Sequence, residues 1–112
     1  MPKQRIYIRY DVPLSVVLMV NAICGDYKRR ALEIERNRMP STVLENYARL
    51  NGIVDKALED IEEGFRREML RDISEGRGYG KSGIQIILSK NAYYRRRRKL
   101  VYDIAKDLLL IE

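Results

Sequence analysis

Apolar residues recur at spacings of three and four along most of this 112-residue chain, and short polar or Gly/Pro breaks cut that rhythm into helix-sized pieces. Val16, Val20, Ile23, Tyr27, Ala31 and Ile34 predict one helix from Leu14 to about Glu35, opened by Pro13 and apolar nearly all round in its first half. Asn37 to Pro40 ends it. Thr42 and Glu45 have capping-box spacing, and Val43, Tyr47, Leu50, Val54, Ala57 and Ile61 then form a seam on a helix of about 19 residues. The seam is too short for an extended coiled coil, so antiparallel packing on the preceding helix is the favoured reading over pairing between chains. Glu62-Glu63-Gly64 marks a turn, and Phe65, Met69, Leu70 and Ile73 a further helix stopped at Gly76. Ile84, Ile87 and Leu88 predict one apolar face on a short helix. After Ser89-Lys90-Asn91, a last helix from about Ala92 to Leu109 carries a core stripe of Tyr93, Leu100, Val101, Ile104, Ala105 and Leu108. Only Gln4 to Val12 alternates with period two, as a short strand or extended arm would. The expected fold is a small all-α domain with a C-terminal helix-turn-helix and this N-terminal arm. Residues 1–40 form arm and first helix, for scaffolding or oligomerisation, and 41–112 the helical domain.

Composition narrows the chemistry. The chain has no His and a single Cys, which removes the usual proton shuttle, the commonest metal ligand, an intrachain disulfide and a thiolate zinc site. Acidic residues from Glu59 to Glu63 read as a solvated or salt-bridged helix face rather than as a catalytic pair. Cys24 reads as an inert buried residue. Gly80-Lys81-Ser82 suggests a phosphate loop, but Glu75 stands where that loop needs a glycine, and a helix precedes it instead of a strand. No enzyme, cofactor or metal is expected. The apolar stretch from Leu14 to Cys24 is far shorter than the roughly 20 residues of a membrane span, and no cleavage site follows it. The expected class is a soluble cytoplasmic protein without a membrane partner.

The net charge of +6 lies at one end. Thirteen basic and 13 acidic residues precede Arg77; 9 basic and 3 acidic ones run from Arg77 to Glu112. Five of those nine are contiguous, Arg95 to Lys99, whereas Asp55 to Glu75 holds 4 basic and 8 acidic residues. Such polarity steers a polyanion to one end of a molecule. A short helix, a tight turn and a longer helix with basic residues at its start is the arrangement of a helix-turn-helix. On a helical wheel, Asn91, Arg95, Arg98, Lys99 and Tyr102 point outward, and Tyr93 and Arg97 toward the core. Asn91 and Arg95 suit base edges, Arg98 and Lys99 suit phosphates, Tyr94 and Arg96 lie at the flanks, and Lys90 completes the expected DNA-binding set. Arg77 and Lys81 in the glycine loop are further phosphate candidates. An Arg in a core stripe needs a partner, and Glu62, Glu63, Glu68 and Asp72 are the candidates for Arg97.

The segment Ser89-Lys-Asn-Ala-Tyr-Tyr-Arg-Arg-Arg-Arg-Lys-Leu100 resembles the recognition helix of a sigma factor region 4-type helix-turn-helix. With Val54 to Ile61, Phe65 to Arg67 and Tyr102 to Leu108 around it, the chain from about Ile53 to Leu109 resembles the small phage transcriptional regulators of the RinA and ArpU type. Two departures are visible: Ser82-Gly83 replace an early apolar-small pair, and Ile87 replaces the turn glycine. The resemblance implies an all-helical, promoter-binding regulator of phage late genes. Expected partners are double-stranded DNA and, for a regulator of this kind, RNA polymerase, with a homodimer or higher oligomer as an open state. The alternatives are a phage DNA-packaging or replication accessory protein, an interaction module without DNA specificity, and an RNA-binding role for the Arg-rich helix.

Overall fold

The computed structural model describes residues 10–112, apart from the Ile86 side chain. Five helices account for most of this span: α1 (Leu14–Gly25), α2 (Tyr27–Arg36), α3 (Ser41–Leu58), α4 (Glu63–Glu75) and α5 (Lys90–Asp107). Two short 3-10 turns, Tyr79–Lys81 and Gly83–Ile86, lie between α4 and α5. The described residues contain no strand, Tyr10 to Val12 of the alternating segment included. Gln4 to Arg9 of the expected arm lie outside the described residues.

The helix expected from Leu14 to Glu35 is two helices. They meet at Asp26, whose carboxylate accepts from Arg29 Nε and Nη2 at 2.7 and 2.6 Å. The break lets each part bury its own face. α1 turns Val16, Val20 and Cys24 onto α4 and α5, while α2 lies against α3. Gly25 sits where a Cβ would stand 3.5 Å from the Ser74 carbonyl oxygen, so α1 and α4 approach closely there. Asn37 ends α2 at φ 52°, a left-handed conformation that Asn tolerates better than most residues.

α2 and α3 run antiparallel, as the three cross-helix contacts show: Tyr27 with Asp55, Arg30 with Asn51 and Arg29 with Tyr47. Arg30 is only 2% exposed. Its guanidinium donates to Asn51 Oδ1 at 2.7 Å and to the Ile23 carbonyl at 2.6 Å, with Asp26 at 3.6 Å. Burial lowers its affinity for the proton, and these acceptors keep the cation supported. The lower half of the seam, Val54, Ala57 and Ile61, is buried; Val43, Tyr47 and Leu50 are half-buried. The Thr42–Glu45 capping box does not form. The helix starts two residues earlier, after Pro40, whose carbonyl accepts from Val43 and Leu44. Likewise the predicted turn at Glu62 to Gly64 falls earlier, and α4 begins at Glu63.

One core holds the helices together: Val16, Val20 and Cys24 of α1, Val54 and Ala57 of α3, Met69 and Ile73 of α4, and Tyr93, Leu100, Ile104 and Ala105 of α5 all belong to it. Burial pushes the Cys24 thiol up to about 12, consistent with an inert packing role. The expected stripe of α5 is buried apart from half-buried Leu108. The helix expected at Ile84 to Leu88 is instead a single four-residue 3-10 turn, so the expected first helix of a helix-turn-helix is absent and α5 is entered from a turn. The Ser82 side chain accepts from Ile84 N at 3.2 Å and starts that turn, and the few residues before Ser89 leave no room to propagate it. Ile84 is consequently buried, but Ile87 is 71% exposed and shares no apolar face with it.

A buried polar relay fixes α5 to α4. Asp72 and Tyr93 are both fully buried, and the Tyr93 hydroxyl donates to Asp72 Oδ2 at 2.8 Å. Arg97 Nη1 in turn donates to the Tyr93 oxygen at 2.9 Å and to the Arg77 carbonyl. Burial, reinforced by Asp72, pushes the Tyr93 phenol up to about 12. Arg97 therefore reaches its acidic partner through a tyrosine and not directly, and of the four carboxylates considered for it the one at the end of the relay is Asp72. Tyr93→Phe keeps the ring and removes both hydrogen bonds. It should cost about 1–3 kcal/mol in urea unfolding, the usual penalty for leaving buried polar groups unsatisfied; an unchanged midpoint would show that the relay does not hold α5.

Candidate nucleic-acid interface

Ser89 caps α5: its hydroxyl accepts from Ala92 N at 3.2 Å. The cap sets the helix start at Lys90, so Lys90 and Asn91 occupy the first turn and both are exposed. Arg95 and Arg98 follow on the same stripe and are exposed as well. Neither makes an ion pair among the described residues. Asn91, Arg95 and Arg98 thus offer an amide and two cations to solvent at one-turn intervals, with Lys90 exposed beside them at the helix start, on a helix whose opposite face is locked in the core.

The remaining predicted residues divide differently. Tyr94 is half-buried, stacked edge-on against Tyr93 with centroids 5.0 Å apart, and its hydroxyl accepts from Tyr79 N at 3.1 Å. Tyr79 packs edge-on against Tyr93 at 5.3 Å and donates its hydroxyl to the Leu88 carbonyl at 2.5 Å. This tyrosine cluster clamps the segment after α4 onto α5. Gly78 passes so close that a Cβ would stand 3.1 Å from the Tyr94 oxygen. At the start of that segment, Gly76 stops α4 at φ 67°, which a glycine adopts freely. Arg77 is partly buried beside Asp72, at 3.8 Å, and its guanidinium donates to the Lys81 carbonyl. The Lys81 side chain is exposed. Tyr102, expected outward, is half-buried against Tyr10 at 5.2 Å, with Lys106 Nζ 5.7 Å from its ring centroid.

Arg96 and Lys99 are tied to the acidic α3–α4 corner. Arg96 grips Glu62 in a fork, Nη2 to Oε2 at 2.7 Å and Nε to Oε1 at 2.9 Å. Lys99 bridges Asp60 at 2.5 Å and Asp103 at 2.7 Å. The Arg96 hydrogen bonds, with help from Glu62's own backbone amide, hold the Glu62 carboxyl at about 2. Lys99 likewise lowers Asp60, and Asp103 with Asp60 raises the Lys99 ammonium. Between corner and helix lies an open groove of about 370 Å³, with Arg95 on its rim beside these pairs.

Sequence reasoning missed Asp60 as a neighbour of the basic run, offered Glu62 among four candidates for Arg97 where it pairs with Arg96, and treated Ile87 as core. Ion pairing across the chain leaves no local signature, because Glu62 and Arg96 are 34 residues apart. Tyr79 carried no signal beyond its place among glycines.

Among the described residues no cluster of His, Cys, Asp and Glu could hold a metal ion, and no helix is long and apolar enough to cross a membrane. Comparison of the chain with protein-family models, with curated proteins and with solved structures yields no match.

The Glu62–Arg96 fork makes a pH prediction. A carboxyl whose folded pKa is depressed contributes stability that is present above its unfolded value and is lost as pH falls through the folded one. For Glu62 the window runs from the ordinary range near 4.5 down to about 2. Carbon-detected NMR titration should place the Glu62 side chain near the lower end, and Arg96→Ala should return it toward the ordinary value. An ordinary titration in the unsubstituted protein would mean that the fork does not persist in solution.

Proposed function

We propose that the protein is a sequence-specific DNA-binding transcriptional regulator that lays the N-terminal half of α5 in the major groove, with no chemistry of its own. The observation that carries this reading is the exposed stripe Asn91, Arg95 and Arg98, with Lys90 exposed at the helix start, on a helix whose other face is buried. Asn91 can read an adenine and Arg95 a guanine by paired hydrogen bonds, and Lys90 and Arg98 are spaced to meet phosphates on either side. Arg96 and Lys99, engaged by carboxylates, are secondary to that set; Tyr94 and Arg77 act by holding the loop, and Lys81 extends the basic surface. Ile87, 71% exposed just before α5, is an apolar group suited to a thymine methyl. The origin in a phage or prophage, and contact with RNA polymerase, rest on the resemblance to RinA- and ArpU-type regulators. A packaging or replication role would use the same surface, and gene neighbourhood separates the two.

The test is a mobility-shift titration against salt. Lys81, Lys90, Arg95 and Arg98 as phosphate or base-edge cations predict a log–log slope of roughly −3 to −4. Arg95→Ala with Arg98→Ala should reduce its magnitude by about 2 and weaken binding at every salt concentration. Unchanged binding in that variant would sink the assignment.

A second reading, an interaction module, is favoured by one observation. Leu14, Leu18 and Met19 of α1 are 73%, 59% and 44% exposed, on a helix with no charged residue from Leu14 to Gly25. A second copy of the chain is the natural occupant, since a two-fold pairing through this uncharged face brings no like charges together, whereas pairing through α5 does. Sedimentation should show a dimer that Leu14→Lys with Leu18→Lys returns to monomer. A stable dimer indifferent to DNA at low salt would replace the regulator reading with this one.

A further inference from the structure

We infer that Asp60 and Glu62 set the docking register of α5 on the duplex, by withholding Arg96 and Lys99 from phosphate. The inference rests on the DNA-binding reading above and adds two residues of opposite charge to it. Five consecutive cations, Arg95 to Lys99, spread around more than one face of a helix. If all were free, a duplex could slide around α5 and be held about equally well in several orientations, because phosphate attraction carries no sequence information. The fold removes that freedom. Arg97 is spent on the Tyr93 relay. Arg96 is forked by Glu62, and Lys99 is held between Asp60 and Asp103. Among the described residues, Arg95 and Arg98 are the members of the run held by neither a carboxylate nor the relay, and they share a stripe with Asn91.

The carboxylates are placed to do more than neutralise. Asp60 and Glu62 are 59% and 50% exposed, on a corner that faces α5 across the groove with Arg95 at its rim. A DNA backbone that rolled toward Arg96 and Lys99 would meet these two negative charges directly. Like-charge contact of this kind suppresses wrong docking modes more than it alters the correct one. The ion pairs are partly exposed, so each holds its cation only modestly, and their removal is expected to change affinity by a limited factor without endangering the fold.

The experiment compares three proteins on a mixed-sequence duplex of about 25 base pairs: the unsubstituted chain, Asp60→Asn with Glu62→Gln, and Glu35→Gln with Glu45→Gln. The last pair lies on α2 and at the start of α3 and raises the net charge by the same amount without releasing a cation on α5. Freeing Arg96, with Lys99 still held by Asp103, should tighten binding about three- to ten-fold at low salt and steepen the salt slope by about 1, and the control should do neither. Equal gains in both variants would overturn the inference, because net charge alone would explain them. An unsubstituted protein that binds, with Asp60→Asn/Glu62→Gln giving the same slope, would overturn it and leave the DNA-binding reading standing. Absence of binding by all three would overturn both. Binding by the corner variant alone would overturn both, because the unsubstituted surface would then have no docking mode for the corner to select.

Discussion

Burying Asp72 is the constraint on which the C-terminal half of this molecule depends. A carboxylate with no exposed surface has to be met by donors, and the nearest is the hydroxyl of a tyrosine that is itself fully buried. That requirement fixes the rotation of α5 about its own axis: Tyr93 must face α4, and every other residue of the helix follows at 100° per step. Arg97, one turn on, is drawn to the same oxygen and to the Arg77 carbonyl, so the relay also collects the segment after Gly76. Apolar packing of Leu100, Ile104 and Ala105 supplies most of the driving force, but such contacts tolerate small rotations; a hydrogen bond of 2.8 Å does not. The outward direction of Asn91, Arg95 and Arg98 is the geometric complement of where Tyr93 points.

A run of five cations would be a nonspecific polyelectrolyte if left alone. Its members here have separate environments: Arg95 and Arg98 in solvent, Arg96 and Lys99 in ion pairs with a corner 34 and 39 residues away, Arg97 in the relay. The acidic stretch from Asp55 to Glu75 and the basic stretch after Arg77 are therefore complementary halves of one arrangement. The charge asymmetry along the sequence is partly cancelled across the fold, and what survives on the surface is narrower than the composition suggests.

The sequence made legible whatever depends on local periodicity. Helix existence, the antiparallel α2–α3 pairing, the stop at Gly76, the Ser89 cap and the core stripe of α5 all follow from spacings of three and four and from residues with fixed backbone preferences. It misled where two local signals compete. Gly25 lies within an uninterrupted apolar rhythm, and only the different directions of burial of α1 and α2 reveal a break there. Thr42 and Glu45 fit a capping box, but Pro40 lies two residues earlier and begins the helix itself. Ile84, Ile87 and Leu88 fit a helix face, yet a segment this short between Ser82 and Ser89 is ruled by its end caps. Within the site, the outward direction of Asn91, Arg95 and Arg98 was readable from the wheel, whereas the cover of Tyr10 over Tyr102 and the ion pairs were not, because they depend on where distant segments land.

The placement of Tyr79, Tyr93 and Tyr94 bears on how rigidly such a surface can be presented. The segment from Gly76 to Ser89 has no α-helix of its own, and a recognition helix that starts from a loose connector would lose orientation to conformational entropy on docking. The Tyr79 and Tyr94 rings, each set edge-on against Tyr93, with the Tyr79 hydroxyl on the Leu88 carbonyl and the Tyr94 oxygen on the Tyr79 amide, replace the helix that is missing before the turn. Aromatic rings are effective here because each immobilises a large area with few rotatable bonds and keeps a polar tip for the backbone. The connector is thereby ordered in advance from the α5 side rather than by its own secondary structure, which accounts for how a 3-10 turn of four residues can stand where a helix-turn-helix ordinarily has its first helix.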